Sequence, residues 1–132
     1  MYTVTGTYGS KTVTNANPWD MWVKSDGTKI WALITTNTGS KDTIIQFSMS
    51  TPYDVSTASF DSTFTMGSRH RFKFTSDGAR LYTTQPVLGS PNIRYWNLSP
   101  AFTLPSDGTA ETGTISVPGS SGDSGKFFDQ YY

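Results

Sequence analysis

The sequence has no cysteine and few charged residues among its 132 positions. Without cysteine there are no disulfides, no thiolate zinc sites and no thiol nucleophiles. Ten Lys and Arg balance ten Asp and Glu, and 15% of residues are charged, where about 25% is usual. This balance argues against general binding to nucleic acid or to a membrane surface. The length favours one domain over a catalytic domain with a separate cofactor domain.

Long apolar runs are also missing from the chain. Met1 is followed by Tyr2 and Thr3, without a basic segment, and no apolar run approaches the ~18 residues of a membrane span. We therefore expect neither a signal peptide nor a transmembrane segment. Ser and Thr together supply 38 of the 132 residues, and threonine suits the half-exposed face of a β-strand.

Residues able to carry out catalysis are scarce. His70 is the single histidine, and the flanking Arg69 and Arg71 oppose its protonation. Asp123 and Ser124 copy the letters around a trypsin-like nucleophile, but such a protease needs a longer chain. Paired catalytic carboxylates, a phosphate-binding glycine loop and the dense acidic spacing of a calcium loop are absent. The sequence predicts a protein that is not an enzyme and binds no cofactor or metal.

An internal repeat organises the chain. Residues 21–31 match residues 72–82, and each segment contains Ser-Asp-Gly, with the first copy 51 positions before the second. The match continues from residues 46–50 to residues 95–99 after a two-residue slip. A period of about 50 residues is typical of propeller blades. The Asp-Gly pairs predict hairpin turns in which Asp26 and Asp77 cap the backbone.

Each repeat predicts four strands in a fixed order. In the first unit they lie at 21–23, 30–35, 43–49 and 59–66, and in the second at 72–74, 81–84, 92–98 and 111–117. Residues 7–14 resemble the fourth strand and predict one extra outer strand at the start of the chain. The predicted fold is all-β, with two four-stranded antiparallel propeller-like blades and this leading strand. The alternative is an eight-stranded β-sandwich.

These boundaries predict a single all-β domain over residues 1–118. It would hold a leading strand at 1–16, a first unit at 17–68 and a second unit at 69–118. Residues 119–132 would form a Gly/Ser spacer that ends in an aromatic tail.

Two segments carry a family resemblance: S-D-G-T-K-I at 25–30 and Q-F-S-M-S-T-P-Y-D-V-S-T-A-S-F at 46–60. They resemble the S-P-D-G-T-K-M-Y hairpin and the Y-Q-Y-x-L-S-T-P-W-D-V-S-T-A-S connection of a repeat in phage virion proteins and marine bacterial surface proteins. The second unit keeps Ser76, Asp77 and Gly78 but departs from the pattern at 100–105. The resemblance implies propeller-like blades and a structural or adhesive role, without shared catalytic residues.

Two blades are too few for a closed ring, which needs about four to eight. The chain is therefore expected to oligomerise or to dock on another protein, unless its sheets pack as a sandwich. With the resemblance, this predicts a virion component made in the host cytoplasm, such as a capsid decoration or tail accessory subunit. Its partners would be other virion proteins and copies of itself. The alternative is a lectin-like module that binds glycans.

Two segments are predicted to contact partners. Arg69, Arg71 and Lys73 alternate, so on a strand they project from one face and can meet an acidic surface. The alternative for them is a solvated face. The acidic surface could belong to another copy, because residues 101–132 carry more acidic than basic side chains. The second segment is an aromatic cluster that either anchors in a partner or folds onto the chain's own core: Phe127, Phe128, Tyr131 and Tyr132.

The four tryptophans divide into two pairs. Trp31 and Trp96 fall on apolar strands and are expected in the core. Trp19 and Trp22 follow Pro18 and are the candidates for an exposed site on which a sugar ring could stack.

Overall fold

The computed structural model describes residues 5–8, 11–14, 16–36, 41–67, 71–85 and 92–116. These residues form ten β-strands and a turn of 3-10 helix at Val55–Thr57. The strands are β1 Thr5–Tyr8, β2 Lys11–Thr14, β3 Ala16–Val23, β4 Lys29–Thr36, β5 Lys41–Met49, β6 Ala58–Gly67, β7 Arg71–Phe74, β8 Arg80–Gln85, β9 Asn92–Asn97 and β10 Gly113–Ser116.

The two repeats form two separate antiparallel sheets. The first sheet has the order β3-β4-β5-β6 and the second has the order β10-β9-β8-β7, so each strand pairs with its neighbour in the chain. The prediction of an all-β fold with two four-stranded antiparallel sheets is confirmed. No helix in the described part of the chain is long and apolar enough to cross a membrane.

The prediction of one leading strand at residues 7–14 is wrong. This region contains two strands, β1 and β2, which pair antiparallel from Thr5 opposite Thr14 to Tyr8 opposite Lys11. β1 and β2 therefore run in opposite directions. The predicted strand included Gly9 and Ser10, although both residue types favour turns.

The two sheets pack face to face around a shared hydrophobic core, in a sandwich-like arrangement. Their first strands adjoin, because the Phe72 amide on β7 donates to Asp20 Oδ2 on β3 at 3.3 Å. The buried members of this core are Trp31, Leu33, Ile44, Phe64 and Met66 from the first sheet and Phe72, Phe74, Leu81, Trp96 and Leu104 from the second repeat. We call the face of each sheet that points into this core its inner face and the opposite face its outer face.

The hairpins of the two repeats have the same backbone hydrogen bonds. In each, the glycine has a φ near +70° and donates to the carbonyl three residues before it. The equivalent bonds are Gly27 N to Lys24 O and Gly78 N to Thr75 O at 2.8 Å, Lys24 N to Lys29 O and Thr75 N to Arg80 O at 3.0 Å, and Met49 N to Thr28 O and Leu98 N to Ala79 O at 2.8 Å. The two-residue slip predicted between the repeats is therefore present in the structure.

An aromatic residue from the loop after the third strand closes each hairpin. The amide of Tyr53 donates to Gly27 O at 3.0 Å, and the amide of Phe102 donates to Gly78 O at 2.9 Å. Both aromatic residues have a positive φ, +62° and +58°. A Cβ on either glycine would lie under 3.0 Å from the ring above it. These two positions therefore require glycine for both conformation and space.

Candidate interaction surfaces

The outer face of the second sheet carries cations beside tyrosine rings. Lys73, Tyr82 and Tyr95 lie opposite one another on three neighbouring strands. The two tyrosine rings are 5.9 Å apart. Arg71 lies on the same face of β7 as Lys73, and its register partner is Thr84. The alternation expected for Arg71 and Lys73 is thus present, whereas Arg69 lies outside the described residues.

Arg80 completes this surface, and sequence reasoning missed it. Its guanidinium carbon lies 5.6 Å from the centre of the Tyr95 ring. Its Nε donates to Asn97 Oδ1 at 3.1 Å, and its Nη1 reaches the Tyr82 hydroxyl at 3.5 Å. These contacts hold the cation over an aromatic ring, which favours binding of a carboxylate or another ring. The sequence could have indicated Arg80, because the repeat aligns it with Lys29, so that a cation follows the Asp-Gly turn in both units.

The outer face of the first sheet is apolar. Val23, Ile30, Phe47 and Phe60 form one row across all four strands. The rings of Phe47 and Phe60 meet edge to face at 6.5 Å. Met21 lies on the same face, two residues before Val23, and its side chain is 62% exposed. We call Met21 and this row the apolar patch.

Exposed large hydrophobic side chains are concentrated in the first repeat. Among the described residues, five of the six belong to it and one belongs to the second sheet. They are Trp19, Met21, Tyr53, Val55 and Phe60 in the first repeat and Ile115 in the second. Because exposed apolar patches mark interaction sites, the first repeat is the stronger candidate for partner contact. None of Met21, Tyr53, Val55 and Phe60 was predicted from the sequence to contact a partner, although the last three lie in the motif at 46–60.

The two candidate glycan-stacking tryptophans lie in different environments. Trp22 packs against the shared core, with its ring 5.3 Å from both Trp31 and Phe74 and 5.9 Å from Phe102. It does not fit the expectation of an exposed stacking platform, because the chain's own rings surround it. Trp19 is 55% exposed beside the register shift between Pro18 and Asp20. Trp31 and Trp96 are buried, as expected.

A cleft of about 440 Å³ opens between the end of β6 and the loop before β10. Arg94, Asp107 and Glu111 in its lining make contacts within the protein. Arg94 Nη1 lies 2.6 Å from Glu111 Oε1, and the Thr65 amide donates to Asp107 Oδ1 at 2.6 Å. Trp96 Nε1 donates to Thr109 O at 3.2 Å. The bond between Thr65 and Asp107 joins the two repeats, whereas the other two contacts hold the loop before β10 to β9.

A polar network runs from the core to the edge of the first sheet. The buried Trp31 indole donates to Gln46 Oε1 at 2.9 Å, and Gln46 Nε2 donates to Asp61 Oδ2 at 3.0 Å. Asp61 joins the network because it is the extra residue of a bulge, where Gln46 pairs with Ser62 but Phe47 pairs with Phe60. An extra residue of this kind redirects a side chain.

The charge of Asp61 is stabilised by its neighbours. Burial raises the pKa of this carboxyl, but hydrogen bonds from Ser48, Gln46 and Lys29 outweigh it, so the pKa lies below its usual range. The Lys29 ammonium is 2.9 Å from Asp61 Oδ2. Because the Trp31, Gln46, Asp61 and Lys29 side chains are hydrogen bonded to one another, the network holds the sheet together.

The remaining candidate chemistry is used locally or lies outside the described residues. Asp77 caps its hairpin, where hydrogen bonds from the Thr75 side chain and the Ala79 amide lower its pKa. Within the described ranges no three His, Cys, Asp or Glu residues are grouped to hold a metal ion. The sequence-predicted residues that fall outside these ranges are Arg69, His70, Asp123, Ser124, Phe127, Phe128, Tyr131 and Tyr132.

The fold and its surfaces define an all-β protein built from two repeated four-stranded sheets with unlike outer faces. Comparison with known proteins found no matching family model, curated protein or solved structure.

Proposed function

We propose that the chain is a non-enzymatic structural protein that acts by docking to other proteins and to copies of itself. Its proposed setting is a phage virion, as a capsid decoration or tail accessory subunit. The observation that carries the docking role is the concentration of exposed apolar side chains on the first repeat, with Met21, Tyr53 and Val55 each more than 60% exposed. Apolar and aromatic residues supply most of the energy of protein interfaces.

The virion setting is supported by the motif resemblance at residues 25–30 and 46–60. The structure uses both motifs in the hairpin closure, since Gly27 and Tyr53 come from them and hydrogen bond to each other. A rigid, self-closing β-unit is suited to a particle surface, because repeated contacts there need a preorganised shape.

The test is the protein content of purified particles. Particles from the host that carries the gene are banded on a density gradient and analysed by peptide mass spectrometry. The proposal predicts this chain at a constant ratio to the major particle protein, retained after a high-salt wash. Detection of the chain only in the unassembled fraction contradicts the virion setting.

A glycan-binding role is the second candidate, and Trp19 is the observation that favours it. An exposed indole is suited to stacking on a sugar ring. This role predicts quenching or a shift of tryptophan fluorescence on titration with the cognate sugar, and loss of that signal in Trp19→Ala. Trp22→Phe serves as the comparison, because Trp22 is packed among rings of the chain. Silence on a glycan array with the folded protein contradicts it.

A further inference from the structure

The repeat makes the outer face of each sheet equivalent to the inner face of the other. On the first sheet, Trp22, Trp31 and Gln46 form an inner row. The equivalent row on the second sheet points outward, and its members are Lys73, Tyr82 and Tyr95. Conversely, the outer row of the first sheet, Val23, Ile30 and Phe47, is equivalent to the inner row Phe74, Leu81 and Trp96.

The equivalent positions differ in how well they are covered. Met21 is 62% exposed, whereas its counterpart Phe72 is 4% exposed. Val23, Ile30 and Phe47 are half-buried, and their counterparts are buried with 3%, 0% and 3% exposure. Tyr53 is 64% exposed, whereas its counterpart Phe102 packs against the core. The first sheet thus leaves more exposed an apolar face whose counterpart on the second sheet is buried.

Inside the chain, that kind of face is buried by the inner row of the other sheet. The rings of Trp22 and Trp31 lie 5.3 and 4.6 Å from Phe74. They lie 5.9 and 6.1 Å from Phe102. The internal junction therefore indicates what could pack on the apolar patch. It is a row of side chains at positions equivalent to Trp22, Trp31 and Gln46.

We propose that a second copy of this chain covers the apolar patch with the outer face of its second sheet. This inference rests on the proposed docking function and identifies its partner. In the contact, Tyr53 of one copy takes the place of Phe102. Tyr82 of the other copy takes the place of Trp31. A pair of tyrosines replaces the stacked rings of the internal junction.

The contact between copies is weaker than the internal junction. The position equivalent to Asp20 is Arg71, which cannot accept the hydrogen bond that Phe72 donates to Asp20. Ile34 and Ile45 on the outer face of the first sheet are already buried, so the open part lies toward the hairpin. We therefore expect association that is reversible and depends on concentration.

The two surfaces are different, so the contact is heterologous. Each copy uses one face to bind the next copy and the other to be bound, which produces a ring if the rotation closes and a filament if it does not. A propeller-like ring of about four to eight sheets would contain two to four copies.

The test uses the full chain and one charge on each face. Met21→Glu blocks the apolar patch, and Tyr82→Glu places a charge on the opposite surface. Each variant is studied alone and in an equimolar mixture by sedimentation velocity over a wide concentration range. Ala110→Glu, in the exposed loop before β10, controls for the added charge. Far-ultraviolet circular dichroism checks that each variant is folded.

The expected result is assembly of the unmodified chain and of Ala110→Glu. Each blocked variant should associate at least about tenfold more weakly. Their mixture should form a one-to-one dimer and grow no further, because it contains one intact pair of faces. If a blocked variant fails to fold, Tyr53→Asn and Tyr82→Ser test the same two faces.

Two results overturn the inference. One is a monomer at every concentration, which indicates that another partner or the chain's own tail covers the patch. The other is an unmodified chain that associates while the two blocked variants do not form a dimer when they are mixed, which indicates a symmetric contact. If either result is obtained and the chain is still found in purified particles, this inference fails and the proposed function stands.

Discussion

The ring of Phe102 stacks on the indole of Trp22, with centroids 5.9 Å apart and an interplanar angle of 15°. The ammonium of Lys24 lies 5.2 Å from the centre of the same Phe102 ring. The stack ties the loop after β9 to the first strand of the other sheet. Tyr53 occupies the equivalent place in the first repeat but is 64% exposed. Phe102 and Tyr53 are therefore equivalent rings in two environments, one packed against the other sheet and one mostly exposed.

Replacing these two aromatic residues should have unequal effects on stability. We expect Phe102→Ala to lower the free energy of unfolding by about 3 kcal/mol, because it removes a ring that packs on Trp22, Trp31 and Phe74. Tyr53→Ala should lower it by about 1 kcal/mol or less, since most of its ring is in solvent. Both variants place alanine at a positive φ, so backbone strain is matched. Urea denaturation measures both values, and equal losses would contradict the packing of Phe102 against the core.

Alanine at the hairpin glycines tests the close approach of the aromatic rings. Gly78→Ala should destabilise the protein by about 3 kcal/mol, from a positive φ and a clash with Phe102. Gly108→Ala is the control, because its φ is +81° but no atom of the described part of the chain lies within 4 Å of the added Cβ. It should cost about 1 kcal/mol. Similar losses in the two variants, measured by chemical denaturation, would show that the ring moves aside freely.

Removing Gln46 should disrupt the buried polar network. Gln46→Leu leaves the Trp31 N–H without its acceptor and removes a donor from Asp61, so we expect a loss of about 2 kcal/mol. Trp31→Phe removes the same N–H from the other side. A double-mutant cycle from thermal or urea unfolding should give a double variant less destabilised than the sum of the singles. Strict additivity would mean that the two side chains do not interact.

The stability of the protein should fall in acid partly through Asp61. Its pKa in the folded state is lowered and therefore lies below the unfolded value of about 3.9. The stabilising contribution of its charge is complete above the unfolded pKa and is lost as pH falls through the folded pKa. Asp61→Asn should lower stability at pH 7 and flatten the decline below about pH 4. Unfolding midpoints measured from pH 7 to pH 2 test this, and parallel curves would contradict it.

One buried hydroxyl is expected to be unfavourable. Thr83 is fully buried, and its Oγ1 has no hydrogen-bond partner among the described residues. Thr83→Val keeps the shape and removes this polar atom, so we expect stability to rise by about 1 kcal/mol. Thr43→Val is the comparison, because Thr43 Oγ1 shares a hydrogen bond with Thr65 Oγ1 at 3.2 Å. That variant should lose stability in the same denaturation experiment, and a loss in both would mean that the Thr83 hydroxyl is satisfied.

Much of the fold followed from local sequence signals. The Asp-Gly turns at 26–27 and 77–78 and the alternation along the strands predicted both sheets, because turn geometry and a two-residue period are local properties. The pairing of β1 with β2 was missed because Gly9 and Ser10, which favour turns, are flanked by threonines and a tyrosine, which favour strands. The apolar patch was also missed. Its residues look like core residues in the sequence, and exposure is not a local property.

The clearest division between sequence and tertiary structure is at Trp22 and its repeat partner Lys73. The sequence by itself determined that both lie on a first strand, with apolar neighbours on the opposite face. Only the packing of the sheets decided that the Trp22 face points inward in one repeat and the Lys73 face outward in the other. A strand pattern defines two faces, but which face leaves water depends on what the other sheet offers to cover it.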